Sequence, residues 1–148
     1  MNQEVVILIA DDDEGHAELI RRNLVRAGIA NPLMHFKDGQ EVVDFLIRQG
    51  SGPQRQPDTA YVLLLDIRMP KLDGIEVLSL IKSNDELKKI PVIMITTTDD
   101  PREVERCHLL GCSNYITKPV EYESFVNAIR QLGLFLSVVA VPIISCPN

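Results

Sequence analysis

"VVILIADDDEGHAELIRRNLVRAG", residues 5–28, decides the fold. Its first six residues, Val5 to Ala10, are all apolar and rich in β-branched side chains. A strand apolar on both faces belongs inside a parallel sheet covered by helices on either side. Three acids follow, and then a helical period. Ala17, Ile20, Leu24 and Ala27 share one face, while Glu18, Arg21, Arg22 and Arg26 point outward and Gly28 is placed to stop the helix. Gly15 is poor helix material near its start. The stretch is one strand followed by one helix.

The same alternation continues along the chain. Pro32 to Phe36, Tyr61 to Leu65 and Val92 to Ile95 are further short apolar runs, and Asn114-Tyr115-Ile116 is a weaker fifth. Between them, Val42, Val43, Leu46 and Ile47 follow the Asp38-Gly39 turn. Val77, Leu78 and Ile81 form a third helical stripe, and Val104, Cys107 and Leu110 a fourth that Gly111 ends. Phe125, Ala128, Ile129 and Leu132 form the fifth. Five strand–helix units give an α/β fold with a doubly wound parallel sheet. Gly50 to Ala60, "GSGPQRQPDTA", reads as an exposed loop within the domain, because strand and helix patterns resume on both sides.

In an open parallel sheet, ligands bind beyond the carboxyl ends of the strands. The first strand runs into Asp11-Asp12-Asp13, the third into Asp66, the fourth into Thr96-Thr97-Thr98, and the fifth is followed by Lys118-Pro119. Singly, each has an ordinary explanation. Asp13 is placed to cap the first helix, Asp66 could open a turn, Thr96 could simply end a strand, and Lys118 could be solvated. Together they bring acids, a hydroxyl and an amine to one edge. Carboxylates within about 4–6 Å raise one another's pKa. A divalent cation relieves that cost, and Mg²⁺ favours a few carboxylates with water and a phosphate oxygen. A carboxylate can also act as nucleophile to form an aspartyl phosphate, with Lys118 and Thr96 supplying positive charge and a donor to the transferring group.

These segments, "ILIADDD", "LLLDIRMPKLDG", "IPVIMITTT" and "NYITKPVEYESF", resemble the receiver domain of two-component response regulators, from residue 5 to about 132. The resemblance implies a CheY-like, flavodoxin-like (βα)5 sheet in the order 2-1-3-4-5. It also implies that Asp11 and Asp12 hold Mg²⁺ together with Asp66 and the backbone carbonyl of Arg68. Asp66 corresponds to the phosphoacceptor, Thr96 to the switch hydroxyl, Lys118 to the family's lysine before a cis Pro119, and Tyr115 to the aromatic switch. "SLIKSNDELKKIPVIMITTTDD", "CHLLGCSNYITKPV" and the apolar tail are similar to stand-alone regulators that work with phytochrome-type histidine kinases of bacteria. The implied function is a signalling switch, not an enzyme beyond slow self-dephosphorylation, that accepts a phosphoryl group from a sensor histidine kinase. Arg68 departs from the family, where smaller polar residues are common; it could pair with a site carboxylate or cover the phosphate. A phosphatase with an Asp nucleophile generally wants a second acid two residues later, where this chain has Arg68. A docking module with a vestigial acid site is the remaining alternative.

The totals agree with this reading. At 148 residues the chain suits one domain, residues 1–133, followed by an extension, residues 134–148. The net charge of −6 argues against a nucleic-acid partner. No basic segment precedes the first apolar run, and Leu132 to Ile144 is 13 residues with Pro142 inside it, short of the roughly 20 a membrane span needs. The expectation is a soluble, cytoplasmic protein with no membrane association. Cys107, Cys112 and Cys146 are read as free thiols in a reducing compartment, and His16, His35 and His108 as scattered, without a metal site. Leu134, Phe135, Leu136, Val138, Val139, Val141, Ile143 and Ile144 are too apolar to leave in water. A homodimer through the last helix and tail is expected, with folding back onto the same domain as the alternative.

Overall fold

The computed structural model describes residues 5–26 and 28–118, and the backbone at 143–144. Its strands are β1 (Val5–Ala10), β2 (Leu33–Phe36), β3 (Thr59–Leu65), β4 (Val92–Thr96), β5 (Asn114–Thr117) and β6 (Ile143–Ile144). Its helices are α1 (Glu14–Arg26), α2 (Gly39–Ile47), α3 (Gly74–Lys82) and α4 (Pro101–Leu110). The first five strands lie parallel in the order β2-β1-β3-β4-β5, as the family resemblance implied. The fifth helical stripe, Phe125 to Leu132, and Pro119 lie outside the described residues.

The period of two along each strand divides the core in two. Leu8, Ala10, Leu63, Leu65, Val92 and Met94 face α2, α3 and α4 in one cluster. Ile7, Ile9, Val62, Leu64, Ile93 and Ile95 face Ala17, Ile20 and Leu24 of α1 in the other. Both faces are buried, which is why the strands are unbroken apolar runs. Each fully buried aliphatic side chain contributes about 1.5–3 kcal/mol relative to exposure. Among the described residues no helix is long and apolar enough to cross a membrane.

Helix ends follow the local chemistry. The side chains of Asp38 and Asp73 accept from the amides of Glu41 and Glu76, each at 2.8 Å, and so cap α2 and α3. Asp13 does the same for α1, as expected, accepting from the His16 amide at 3.1 Å. Gly111, at φ 105°, closes α4 in the left-handed region, where a β-carbon is costly.

One region departs from expectation. The loop before β3 is not wholly exposed, because Arg55 is buried and its Nε donates to the Leu46 carbonyl at 2.7 Å. The guanidinium satisfies a helix-end carbonyl that has no partner within α2. In the same loop the Gln56 amide donates to the Tyr61 hydroxyl, and β3 begins two residues early, at Thr59. Ile143 and Ile144 pair antiparallel with Ala60 and Thr59 of the same chain. β3 begins well before its first partner on β4, the Leu63–Val92 pair, so its early edge is open for these two residues. The rest of the tail lies outside the described residues.

Candidate functional site

Three strand tips build the site. Asp11 directly follows β1, and its amide donates to the Phe36 carbonyl at 3.1 Å. Asp66 follows β3 and continues the ladder, its amide donating to the Ala10 carbonyl at 2.9 Å. Sheet hydrogen bonding therefore fixes both backbones before any side-chain contact is made. Lys118 follows β5 and donates its amide to the Thr96 carbonyl. Asp11, Asp66, Thr96 and Lys118 are all buried, while Asp12 is exposed.

Asp11, Asp12 and Asp66 each offer one carboxylate oxygen, all within 4.8 Å of one another. Lys118 Nζ donates to Asp11 Oδ2 at 2.8 Å and stands 3.6 Å from Asp66 Oδ2. One ammonium thus faces three carboxylates, which leaves the cluster net negative in a poorly solvated place. Asp66 Oδ1 is buried and has no hydrogen-bond partner among the described residues. An orphaned carboxylate oxygen costs the full desolvation of its charge unless something binds it. This all-oxygen donor set, with one oxygen free, fits a hard divalent cation and a group to be attacked.

The start of α3 is pressed against the end of β3. The Gly74 amide donates to the Ile67 carbonyl at 2.7 Å, and a β-carbon at Gly74 would collide with the Asp66 carbonyl oxygen. Only glycine permits that approach.

Thr98 gathers the rest of the site. Its amide donates to Thr96 Oγ1 at 3.4 Å, its hydroxyl accepts from Arg68 Nε at 3.3 Å, and its carbonyl accepts from the Tyr115 hydroxyl at 2.6 Å. The side chain of Arg68 therefore reaches over to the β4–α4 loop and makes no ion pair among the described residues. Burial, then the negative neighbours Cys107, Glu103, Asp99 and Cys112, push the Tyr115 phenol up to about 12. Its ring lies 6.5 Å from that of His108.

Two histidines read as scattered are gathered here as well. His16 Nδ1 lies 3.2 Å from Lys118 Nζ, and His35 Nε2 lies 2.7 Å from the Asp11 carbonyl, to which it must donate. The Asp13 carboxyl, exposed, is held below its usual range chiefly by the His16 amide. No sequence signal marked His16 or Thr98 beyond proximity to the acid run and membership of Thr96-Thr97-Thr98. Cys107 and Cys112 are free and buried, as expected.

Known proteins give the same picture. The response regulator receiver domain family matches residues 7–130. A response regulator receiver domain from Rhodospirillum rubrum is 45% identical, covers 95% of this chain and 99% of its own, and superposes with a TM-score of 0.84. Response regulator Rcp1 of Synechocystis is 31% identical over 142 residues, 95% of either chain. Its Mn²⁺-bound structure superposes with a TM-score of 0.81 over 93% of this chain and 98% of its own. The phosphorylated cyanobacterial phytochrome response regulator RcpA is 26% identical over 96% of this chain and 99% of its own, with a TM-score of 0.79. With the strand order, the acidic tips and a family match over nearly its whole length in agreement, the chain belongs to the response regulator receiver domain family.

Proposed function

We propose that this protein is a single-domain response regulator in which Asp66 accepts a phosphoryl group from a sensor histidine kinase of the phytochrome type, in a Mg²⁺-dependent reaction. The observation that carries the reading is Asp66 Oδ1, a buried carboxylate oxygen without a partner among the described residues, at the sheet edge where Asp11, Asp12 and Lys118 also lie. Rcp1 with Mn²⁺ and phosphorylated RcpA are relatives in which a metal and a phosphoryl group occur, and both support it.

Asp66 Oδ1 attacks the phosphorus of a phosphohistidine. The new O–P bond makes an acyl phosphate, and the P–N bond breaks with its electron pair leaving on the donor imidazole. Lys118 takes one phosphoryl oxygen, and Thr96 offers its hydroxyl to another. Asp11, Asp12, Asp66 and the backbone carbonyl of Arg68 would hold Mg²⁺, which neutralises charge on the transferring group. Tyr115, bonded to Thr98 in the loop that follows Thr96, is the switch residue that reports the change. Slow hydrolysis of the acyl phosphate is the one further reaction in this reading, which places the protein in the cytoplasm, as a signalling protein rather than an enzyme.

The test is incubation with Mg²⁺ and acetyl phosphate, followed by intact mass. One added phosphate is expected, abolished in Asp66→Asn or by chelation of the metal; equal incorporation in Asp66→Asn would overturn the assignment. Residues 134–148 are proposed as the dimerisation element, with the last helix. The hydrogen bonds that Ile143 and Ile144 make to β3 within one chain have the same form between two. Light scattering on the full chain and on one ending at Gly133 should give a dimer and a monomer.

A further inference from the structure

We infer that His16 is a positioning residue for Lys118, holding the ammonium short of Asp66 Oδ2 so that the carboxylate stays open to a cation. The inference rests on the acceptor reading above. An ammonium has three donors and no acceptor. One N–H of Lys118 goes to Asp11 Oδ2 at 2.8 Å, and His16 Nδ1 lies 3.2 Å from the same nitrogen. Because lysine only donates, Nδ1 supplies the lone pair and the ring proton sits on Nε2. Asp66 Oδ2, at 3.6 Å, is close enough for charge attraction but beyond a hydrogen bond.

The imidazole is itself fixed. The His16 amide donates to Asp13 Oδ1 at 3.1 Å, so the cap of α1 sets where the ring leaves the helix. Asp13 Oδ2 stands 3.8 Å from Nδ1, too far to take a hydrogen bond from it. Lys118 is thus held between the Asp11 carboxylate just past β1 and the imidazole on α1, where the His16 side chain is 43% exposed. Without the ring, the ammonium would settle onto the free carboxylate. It would then compete with a cation for the same oxygens and have to be pulled away before it could meet a phosphoryl oxygen.

The substitution His16→Leu removes the acceptor, whereas His16→Asn keeps an acceptor oxygen near the place of Nδ1. Mg²⁺ affinity is read by calorimetry, and acetyl phosphate saturation curves separate half-saturation from maximal rate. In His16→Leu, Mg²⁺ affinity should fall and donor half-saturation should rise, each about fivefold, on the scale of one hydrogen bond. His16→Asn should recover most of both, with maximal rates changed little. In a Lys118→Met background, His16→Leu should have no further effect on Mg²⁺ affinity. Equal losses in His16→Leu and His16→Asn, no loss in either, or a loss that persists without Lys118, would overturn the inference. If the wild type takes up no phosphate, the acceptor reading fails by itself, and the order of Mg²⁺ affinities still decides the role of His16.

Discussion

α3 and α4 cover the same face of the sheet, yet they are held to it very differently. α3 buries Gly74, Ile75, Val77, Leu78 and Ile81 of its nine residues, and its first amide is bonded to the loop that follows Asp66. α4, with ten residues, fully buries only Cys107, and Leu109 on it is 80% exposed. Local opening costs least where buried apolar contacts are fewest. Asp66, the proposed acceptor, is therefore built against the firmly seated helix. Thr98 lies just before the other helix and Tyr115 on β5 beside it, where few buried apolar contacts hold the helix down. The switch proposed above would need this inequality, since the proposed acceptor must stay put while something beside it moves.

Truncating the two central side chains puts the inequality to the test. Leu78→Ala removes a fully buried side chain from α3 and should lower stability by about 3 kcal/mol. The urea midpoint should fall with little change in slope. Cys107→Ala, at an equally buried position on α4, should cost only about 1.5 kcal/mol, because less volume is lost and the site relaxes more easily. A cost for Cys107→Ala matching that of Leu78→Ala would mean that α4 is as firmly held as α3, and the comparison would fail.

The strands were legible because a strand buried on both faces has no choice but to be apolar, and Val5–Ala10 and Val92–Thr96 show it. The acid cluster was legible because parallel strands must deliver their carboxyl ends to one edge. What could not be read depended on neighbours distant in the chain. Arg55 looks solvated within a polar loop, and only the folded chain puts the Leu46 carbonyl beneath it. His16 looks like an exposed residue of a helix start until Lys118, 102 residues away, is brought against it. Thr98 was hidden in a run of identical residues, since nothing local distinguishes which hydroxyl or carbonyl another strand will find. The weak burial of α4 was also concealed, for Val104, Cys107 and Leu110 have helical spacing although only Cys107 is fully covered.

The smallest effect bears on the lightly held side alone. Tyr115→Phe deletes the bond to the Thr98 carbonyl and should cost below about 1 kcal/mol near neutral pH, the net value of one hydrogen bond. Its clearer mark is at alkaline pH. The Tyr115 phenol has an ordinary value of 10.0 and is raised to about 12 in the fold, mainly by burial, and the Cys107 thiol is likewise raised from 9.0 to about 11. Both groups are neutral when protonated, and the folded chain keeps those protons longer than the unfolded chain does. Stability is thus indifferent to these groups below pH 9. It falls as pH rises through 9 and 10 toward 11 and 12, where the unfolded chain has already released what the folded chain still holds. Tyr115→Phe removes the upper part of that fall and leaves the part owed to Cys107. Urea midpoints at pH 8, 9.5 and 10.5, values within about two units of the tyrosine's ordinary one, should converge for mutant and wild type as the pH rises. Midpoints that stay a constant distance apart would show that the phenol is already free in solvent, and that no hydrogen bond ties Tyr115 to the loop that follows Thr96.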